Sequence, residues 1–345
     1  MDIVGNIRVG ENVPVESAKH ILIATTWRSG STFLGDLLNH YPGVFYFFEP
    51  LHYYSSIADK SHVQNETKFL KNLVSCQFNS ENFGFLQHVA QHSNKFLMKS
   101  HNLRLWNSCQ NINILPRDAM CLMPEYLNRL CPLYPIKLIK TVRIRVKMLK
   151  DLLKDPSINF KFIVLVRDPR GVYNSRGTGP VSLWCSADQC ANPATGCKDL
   201  ASDIKAAFDL EMSYPGTVML VRYEDLSLVP EETARRMMKF LGLPWKKAIS
   251  DYIVTHTARD KVKIVRNKKT RKIEKQHDPY DTRRNSTATA FAWRSQLGFA
   301  RTSAIQEVCR EPMKQLGYRM MESEEDLMSQ DWPLDKTAME VWPDL

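Results

Sequence analysis

With 345 residues, 43% hydrophobic and 24% charged, the chain has an ordinary globular composition and ample length for a large core. A mean hydropathy of −0.34 and the lack of any run of 18 apolar residues exclude a transmembrane helix within this sequence. The formal net charge of +10 is uneven, because Arg259 to Lys275 alone carries nine Lys/Arg against two Asp/Glu.

The first twenty residues lack the apolar core of a signal peptide, which taken alone predicts a cytosolic protein. "HILIATT" then reads as a buried strand. It leads through Trp27-Arg28-Ser29-Gly30-Ser31 into an amphipathic helix, Ser31 to His40. That is the layout of a phosphate-binding loop. A helix start exposes backbone N–H groups and the positive end of its dipole, and Gly30 lets the backbone approach an anion closely. The Lys of G-x-x-x-x-G-K-[ST] is missing, and Arg28 offers a planar fork of donors in its place. A plain strand–helix turn is the alternative. Glu49 follows in the aromatic run "FYFFEPLH". An aromatic setting predicts a carboxyl pKa raised by desolvation, and the alternative is a structural carboxylate bonding nearby backbone N–H groups. The stretch from Pro50 to Lys95 reads as mostly helical.

Further strand-like runs are "NKFLMKSH", "IKLIKTVRI", "NFKFIVLV" and "GTVMLVRYEDL". Helical patterns cover Arg145 to Lys154, Ala201 to Met212 and Pro230 to Leu241. Near-continuous apolar strands alternating with helices predict an α/β domain, a parallel sheet with helices on both faces. The fourth run ends at Arg167-Asp168-Pro169. Asp168 and Pro169 suit helix N-cap and first position, and Arg167 falls where open α/β sheets bind ligands. Ser175 lies two turns further on. The strand ends carry Arg167-Asp168-Pro169 and Arg222-Tyr223-Glu224-Asp225; Asp168 suits a cap, a structural role, and the loop reads as holding a phosphate without a Lys–metal site, so no metal is expected. The chain divides into a lead segment (1–19), one domain (20–322) and an acidic tail (323–345).

Eight cysteines include three in "CSADQCANPATGC". Scattered reduced thiols are one reading; their spacing does not form paired C-x-x-C units for zinc, and disulfides formed in an oxidising lumen fit better. A sequon at Asn65 agrees with a lumenal site, and a second, at Asn285, is expected to stay unglycosylated. The basic segment is either a solvated loop or a landing strip for an anionic partner. It has no aromatics to stack bases, so nucleic acid is not expected.

"WRSGSTFLGDLL" resembles the 5′-phosphosulfate loop of sulfotransferases, and "LVRDPRGVYNSR" resembles their 3′-phosphate segment. "FYFFEPLHYY", "KTVRI", "LVRYEDL", "RNSTATAFAWRSQL" and "CREPMKQLGYRM" resemble the carbohydrate 6-O-sulfotransferases. The resemblance runs from Ile21 to Met320. It implies the sulfotransferase fold, a P-loop-like parallel sheet, with 3′-phosphoadenosine 5′-phosphosulfate (PAPS) as donor, PAP as product and no metal. Arg28 and the N–H groups of Ser29, Gly30, Ser31, Thr32 and Phe33 would hold the 5′-phosphate and the charge on the leaving oxygen. Arg167 and Ser175 would hold the 3′-phosphate. Glu49 is the expected base, His52 the runner-up and His101 the third choice. "DPYDTRRNSTATAFAWR" would close over the nucleotide, with a phosphate contact from Arg284. Trp293 there is either core or a ring-stacking group. The acceptor would be the 6-hydroxyl of GlcNAc, galactose or GalNAc in a glycan or glycosaminoglycan of keratan or chondroitin type. The family expectation is the Golgi lumen and an N-terminal membrane anchor. This sequence has no such helix, which suggests a truncated or soluble form. Rival readings are a cytosolic small-molecule sulfotransferase, a metal-dependent kinase and a non-catalytic glycan-binding relative.

Overall fold

A computed structural model describes residues 12–54, 63–79, 83–91, 101–102, 104–105, 108, 121–257, 263–266, 273–276, 282, 285–329, 331 and 333–334. Five parallel strands form the central sheet: β1 (Lys19–Thr25), β2 (Val44–Phe48), β3 (Ile136–Thr141), β4 (Phe160–Val166) and β5 (Val218–Arg222), in the order β2-β3-β1-β4-β5. Side chains alternate across a strand, so each strand feeds two cores. Leu22, Phe45, Phe47, Phe162 and Val164 face one core. Ile21, Ile23, Tyr46, Ile163 and Leu165 face the other. Both faces are apolar because both are covered by helices.

The second face is covered by α1 (Ser31–Asn39) and by helices Pro230–Phe240 and Lys247–Thr257. Helix Val63–Val74 packs on the first face. So do α3 (Pro193–Ser213) and α5 (Phe299–Gln315). Two shorter helices follow strands at the sheet's upper edge: α2 (Pro169–Arg176) after β4 and α4 (Tyr223–Leu228) after β5. The order reverses at β1, so the switch-point crevice lies beyond the carboxyl ends of β1 and β4.

The aromatic run before Glu49, assigned no element from the sequence, is a strand, β2, paired in parallel with β3. Two local expectations are corrected. The segment expected as a helix from Arg145 is a 3-10 helix, Val146–Asp151, whose first amide donates to Asp203. The cysteine-rich stretch is largely helical. Asn192 caps α3 through the amide of Ala194, Pro193 takes its first position, and the helix starts eight residues before the expected Ala201. The strand-like run from Asn94 lies outside the described residues up to Ser100. Part of the basic segment forms an antiparallel pair, Lys263–Arg266 with Ile273–Gln276.

The disulfides are Cys76–Cys131, Cys185–Cys190 and Cys197–Cys309, and Cys121 is also disulfide-bonded. Among the described residues no cysteine is free. Cys197–Cys309 fastens α3 to α5 across 112 residues of sequence. In the acidic tail, helix Glu324–Met328 starts with a capping box at Ser323, and Arg294 donates to the carbonyls of Asp326 and Leu327.

Candidate active site

The loop after β1 is held in an unusual backbone conformation. Arg28 has φ 69° and Gly30 has φ 90°. A side chain at Gly30 is excluded twice: by that φ, and because a Cβ would lie 2.2 Å from Cδ2 of Tyr223. Thr25 donates to the Leu165 carbonyl at 2.6 Å, fixing the loop to β4. The Ser29 hydroxyl is buried, shares a short bond with Thr25 and reaches the Thr26 carbonyl at 2.7 Å. Ser29 therefore fastens the loop with its hydroxyl and has only its amide to offer a ligand. Phe33 likewise buries its ring in the second core. Ser31, Thr32 and Phe33 occupy the first turn of α1, where amides lack intrahelical acceptors.

The second motif meets the first. Arg167, at the end of β4, donates to the Arg28 carbonyl at 2.9 Å and the Thr289 carbonyl at 3.1 Å. Its guanidinium stands 4.6 Å from the Tyr223 ring centre. Arg28 Nε donates to Ser175 Oγ at 3.0 Å. Thus Arg28, Arg167 and Ser175, 147 residues apart at the extremes, form one basic crest. Arg176, which sequence reasoning passed over, donates to the Trp27 carbonyl at 3.1 and 2.9 Å and to the Cys190 carbonyl at 2.8 Å. It braces the loop from below.

The start of α2 is built as expected. Asp168 accepts the Arg170 amide at 2.8 Å, and its carboxylate takes the Arg170 guanidinium in a fully buried fork. Glu224 lies beneath them, accepting the Asp168 amide at 3.0 Å and the Tyr318 hydroxyl at 2.7 Å. Trp293 is core, 1% exposed, with the Arg170 guanidinium 4.1 Å from its ring. Arg284 lies outside the described residues.

Glu49 sits just past β2 at φ 51°, almost fully buried. Lys140 Nζ is 2.6 Å from Oε1, and Arg143 Nη1 is 3.0 Å from Oε2. The Val142 amide also donates to Oε2 at 3.3 Å. The expectation of a raised pKa is corrected here. Burial by itself would raise it, but the charges of Lys140 and Arg143 and the bonds from Lys140 and Val142 outweigh burial and hold the carboxyl below its ordinary value. Arg143 also stands 5.7 Å from the Trp27 ring centre, which connects this carboxylate to the phosphate loop. Lys140 was legible as an oddity, a lysine inside an otherwise apolar strand run.

The other two base candidates point elsewhere. His52 Nδ1 lies 3.2 Å from His88 Nε2. His101 Nδ1 lies 2.7 Å from Asp36 Oδ1, and its ring stacks on Phe48 at 3.9 Å.

The family model for the sulfotransferase domain matches residues 18–317. This chain belongs to the sulfotransferase family. The sulfotransferase is 31% identical to carbohydrate sulfotransferase 1 of Mus musculus over 351 aligned residues, 89% of this chain and 81% of that protein. It is 26% identical to carbohydrate sulfotransferase 4 of Mus musculus over 340 aligned residues, 89% of this chain and 84% of that protein. Among solved structures it is similar to the sulfotransferase domain from the Synechococcus PCC 7002 olefin synthase (TM-score 0.44, 18% identity, 89% of this chain and 97% of that one). Mouse sulfotransferase SULT7A1 complexed with PAP is another (TM-score 0.43, 11% identity, 87% of each chain). Membership of this family makes the protein a sulfotransferase enzyme.

The Glu224 carboxyl is pushed up to about 7, by burial first and then by the Asp168 charge, against the pull of Arg167 and the Tyr318 bond. The folded state therefore holds a proton that the unfolded chain releases near 4.5. Its contribution to stability is complete below that value and is lost as pH rises through about 7. Between pH 5 and pH 8, Glu224→Gln is expected to gain about 2 kcal/mol of stability relative to wild type. Urea titrations of both proteins at several pH values check this, and parallel pH curves would contradict it.

Proposed function

We propose that this sulfotransferase moves a sulfuryl group from PAPS to the 6-hydroxyl of a GlcNAc, galactose or GalNAc residue in a glycan or glycosaminoglycan, keratan or chondroitin chains included. The observation that carries the reading is a carboxylate kept ionised by two cations, one of which also meets the phosphate loop. The acceptor oxygen attacks sulfur as the bond from sulfur to the 5′-phosphate oxygen breaks. Glu49 takes the acceptor's proton. Arg28 and the Ser29 to Phe33 amides hold the 5′-phosphate and stabilise the charge gathering on the leaving oxygen. Arg167 and Ser175 hold the 3′-phosphate, and Arg284 adds a contact. No metal is needed, because there is no triphosphate to grip. Linkage analysis of the sulfated product tests the position: sulfate on carbon 6 is expected, and sulfate on another carbon overturns that assignment.

The site of action proposed is the Golgi lumen, supported by the disulfides, which also weigh against a cytosolic small-molecule enzyme. Asn285 caps helix Ser286–Phe291 through the Ala288 amide, in the segment proposed to close over the nucleotide. Glycopeptide mapping is therefore expected to find Asn285 bare, and a glycan there would contradict this closure. Arg259 to Lys275 is proposed to attract polyanionic acceptor chains. Replacing several of its Lys/Arg with Ser should raise KM for polymeric acceptors and flatten its salt dependence, and unchanged values would return the segment to a solvated role.

A further inference from the structure

The connection between α2 and α3 holds a disulfide that the reaction scheme does not use. A 3-10 helix, Gly179–Leu183, leads into Cys185, and the short helix Asp188–Ala191 contains Cys190. The Cys185–Cys190 bridge joins the two pieces. The residues around it are open to solvent: Leu183 is 84% exposed, Trp184 is 43% exposed, and Ser186 to Gln189 are exposed as well. Val181, Cys185 and Cys190 are nevertheless buried, in a small core separate from the two cores of the sheet. Among the described residues, the hydrophobic side chain from elsewhere that packs against this small core is Trp27.

Trp27 immediately precedes Arg28 in the loop after β1, and it is held in two ways. Its carbonyl takes Arg176 Nε at 3.1 Å and Nη2 at 2.9 Å. Its ring packs on the bridged core and stands 5.7 Å from the Arg143 guanidinium, which in turn holds Glu49 at 3.0 Å. The bridged core therefore supports a ring shared by the phosphate loop and the partner of the candidate base.

The two ends of the bridge are anchored unequally. The Cys190 carbonyl accepts Arg176 Nη1 at 2.8 Å. Asp188, in the same turn, accepts from Asn192 at 2.8 Å and from Thr195 at 2.6 Å, which ties this end to α3. Cys197–Cys309 then fastens α3 to α5. On the other end, the amides of Trp184 and Cys185 both return to the Val181 carbonyl within one turn. The bridge is the covalent link from that turn to the anchored half. Opening it leaves Cys190 and Arg176 in place and loosens Val181 and Cys185 from the small core. The global fold loses little, because a short ring constrains the unfolded chain far less than the 112-residue closure of Cys197–Cys309.

We propose that the Cys185–Cys190 bridge is a positioning element for the donor loop: closed, it keeps an apolar support under Trp27, and reduced, it releases that ring and weakens donor binding while the fold persists. The proposal rests on the sulfotransferase reading and adds redox control of that same site. A dithiol supplies the two electrons. Its thiolate attacks one sulfur, the Cys185–Cys190 bond breaks, the dithiol's two protons end on the cysteines, and the reductant closes to its own disulfide.

The test is PAP calorimetry with thermal melts, on the full chain. Cys185→Ala with Cys190→Ala is expected to bind PAP about fivefold more weakly, the effect of having to order one loosened aromatic side chain on binding. Its thermal midpoint is expected within about 5 °C of wild type. Trp27→Ala is expected to lose at least as much PAP affinity. Adding the cysteine substitutions to Trp27→Ala is expected to change affinity less than about twofold, because the bridge acts through that ring. Wild-type protein treated with dithiothreitol until peptide mapping finds Cys185 and Cys190 alkylated should show the affinity of the double variant. A double variant with wild-type PAP affinity overturns the proposal, as does a loss that adds in full to that of Trp27→Ala. A double variant that fails to fold contradicts it as well. Trp27→Ala keeps the bridge and tests the contact by itself, and wild-type PAP affinity there overturns the proposal too. PAP binding that is indifferent to the bridge leaves the donor reading standing, whereas wild-type protein that does not bind PAP removes the donor reading and this proposal with it.

Discussion

Glu49→Gln is expected to lower turnover about a hundredfold or more, counted per PAP-bound molecule. The amide keeps the shape and can still accept from Arg143 or Val142, but it cannot take a proton from an acceptor hydroxyl. It also leaves the buried Lys140 without its counter-charge, so a loss of stability accompanies the substitution. That is why the count is made per PAP-bound molecule. A purely structural Glu49 would show fewer molecules able to bind PAP, each turning over normally. The pH–rate profile gives a second readout. The cations hold Glu49 below the ordinary carboxylate range, so its acid limb is expected below that range rather than near neutrality. A limb near pH 7 that disappears in Glu49→Gln would contradict the ion-pair account.

Two arginines three residues apart are expected to give opposite phenotypes. Arg170→Ala should cost about 3–5 kcal/mol of stability, because it strands the Asp168 carboxylate, fully buried and close to Glu224. It also removes donors to Gln306 and the Arg319 carbonyl, which join α2 to α5 and the chain after it. Arg167→Ala breaks hydrogen bonds to two carbonyls at the sheet's upper edge and leaves no carboxylate without its ion-pair partner. Its stability cost should be about 1 kcal/mol, whereas PAP affinity should fall roughly 10- to 100-fold. Chemical denaturation and PAP calorimetry on both variants separate the two roles. An Arg170→Ala protein as stable as wild type, or an Arg167→Ala protein with wild-type PAP affinity, would contradict the division.

The strand–turn–helix geometry of the two segments proposed to bind phosphates was legible because its signals are local. An apolar strand, a small-residue turn and a helix start sit within twenty residues around Gly30, and Asp168-Pro169 announces a cap. The environment of Glu49 was not legible. Its visible neighbours, Phe47 and Phe48, suggested an apolar pocket. Its electrostatic neighbours, Lys140 and Arg143, lie 91 and 94 residues away. Only the pairing of β2 with β3 brings them together, and a five-residue aromatic strand after a helix gave little sign of that pairing. The Arg145 segment failed for a similar reason. Its periodicity is helical and does not separate a 3-10 turn from an α-helix, and Asp203, which accepts its first amide, lies 57 residues away on α3. The cysteine cluster showed disulfides in prospect and not their partners, since Cys197 bonds across 112 residues while Cys185 bonds across five.

The most direct measurement is transfer of radiolabelled sulfate from PAPS, in EDTA, to keratan-type, chondroitin and GlcNAc-terminated glycans, one acceptor per tube. The proposed phosphate sites, with Glu49 as base, predict label in at least one tube, undiminished by the chelator. A protein that binds PAP and labels none of them would contradict the account.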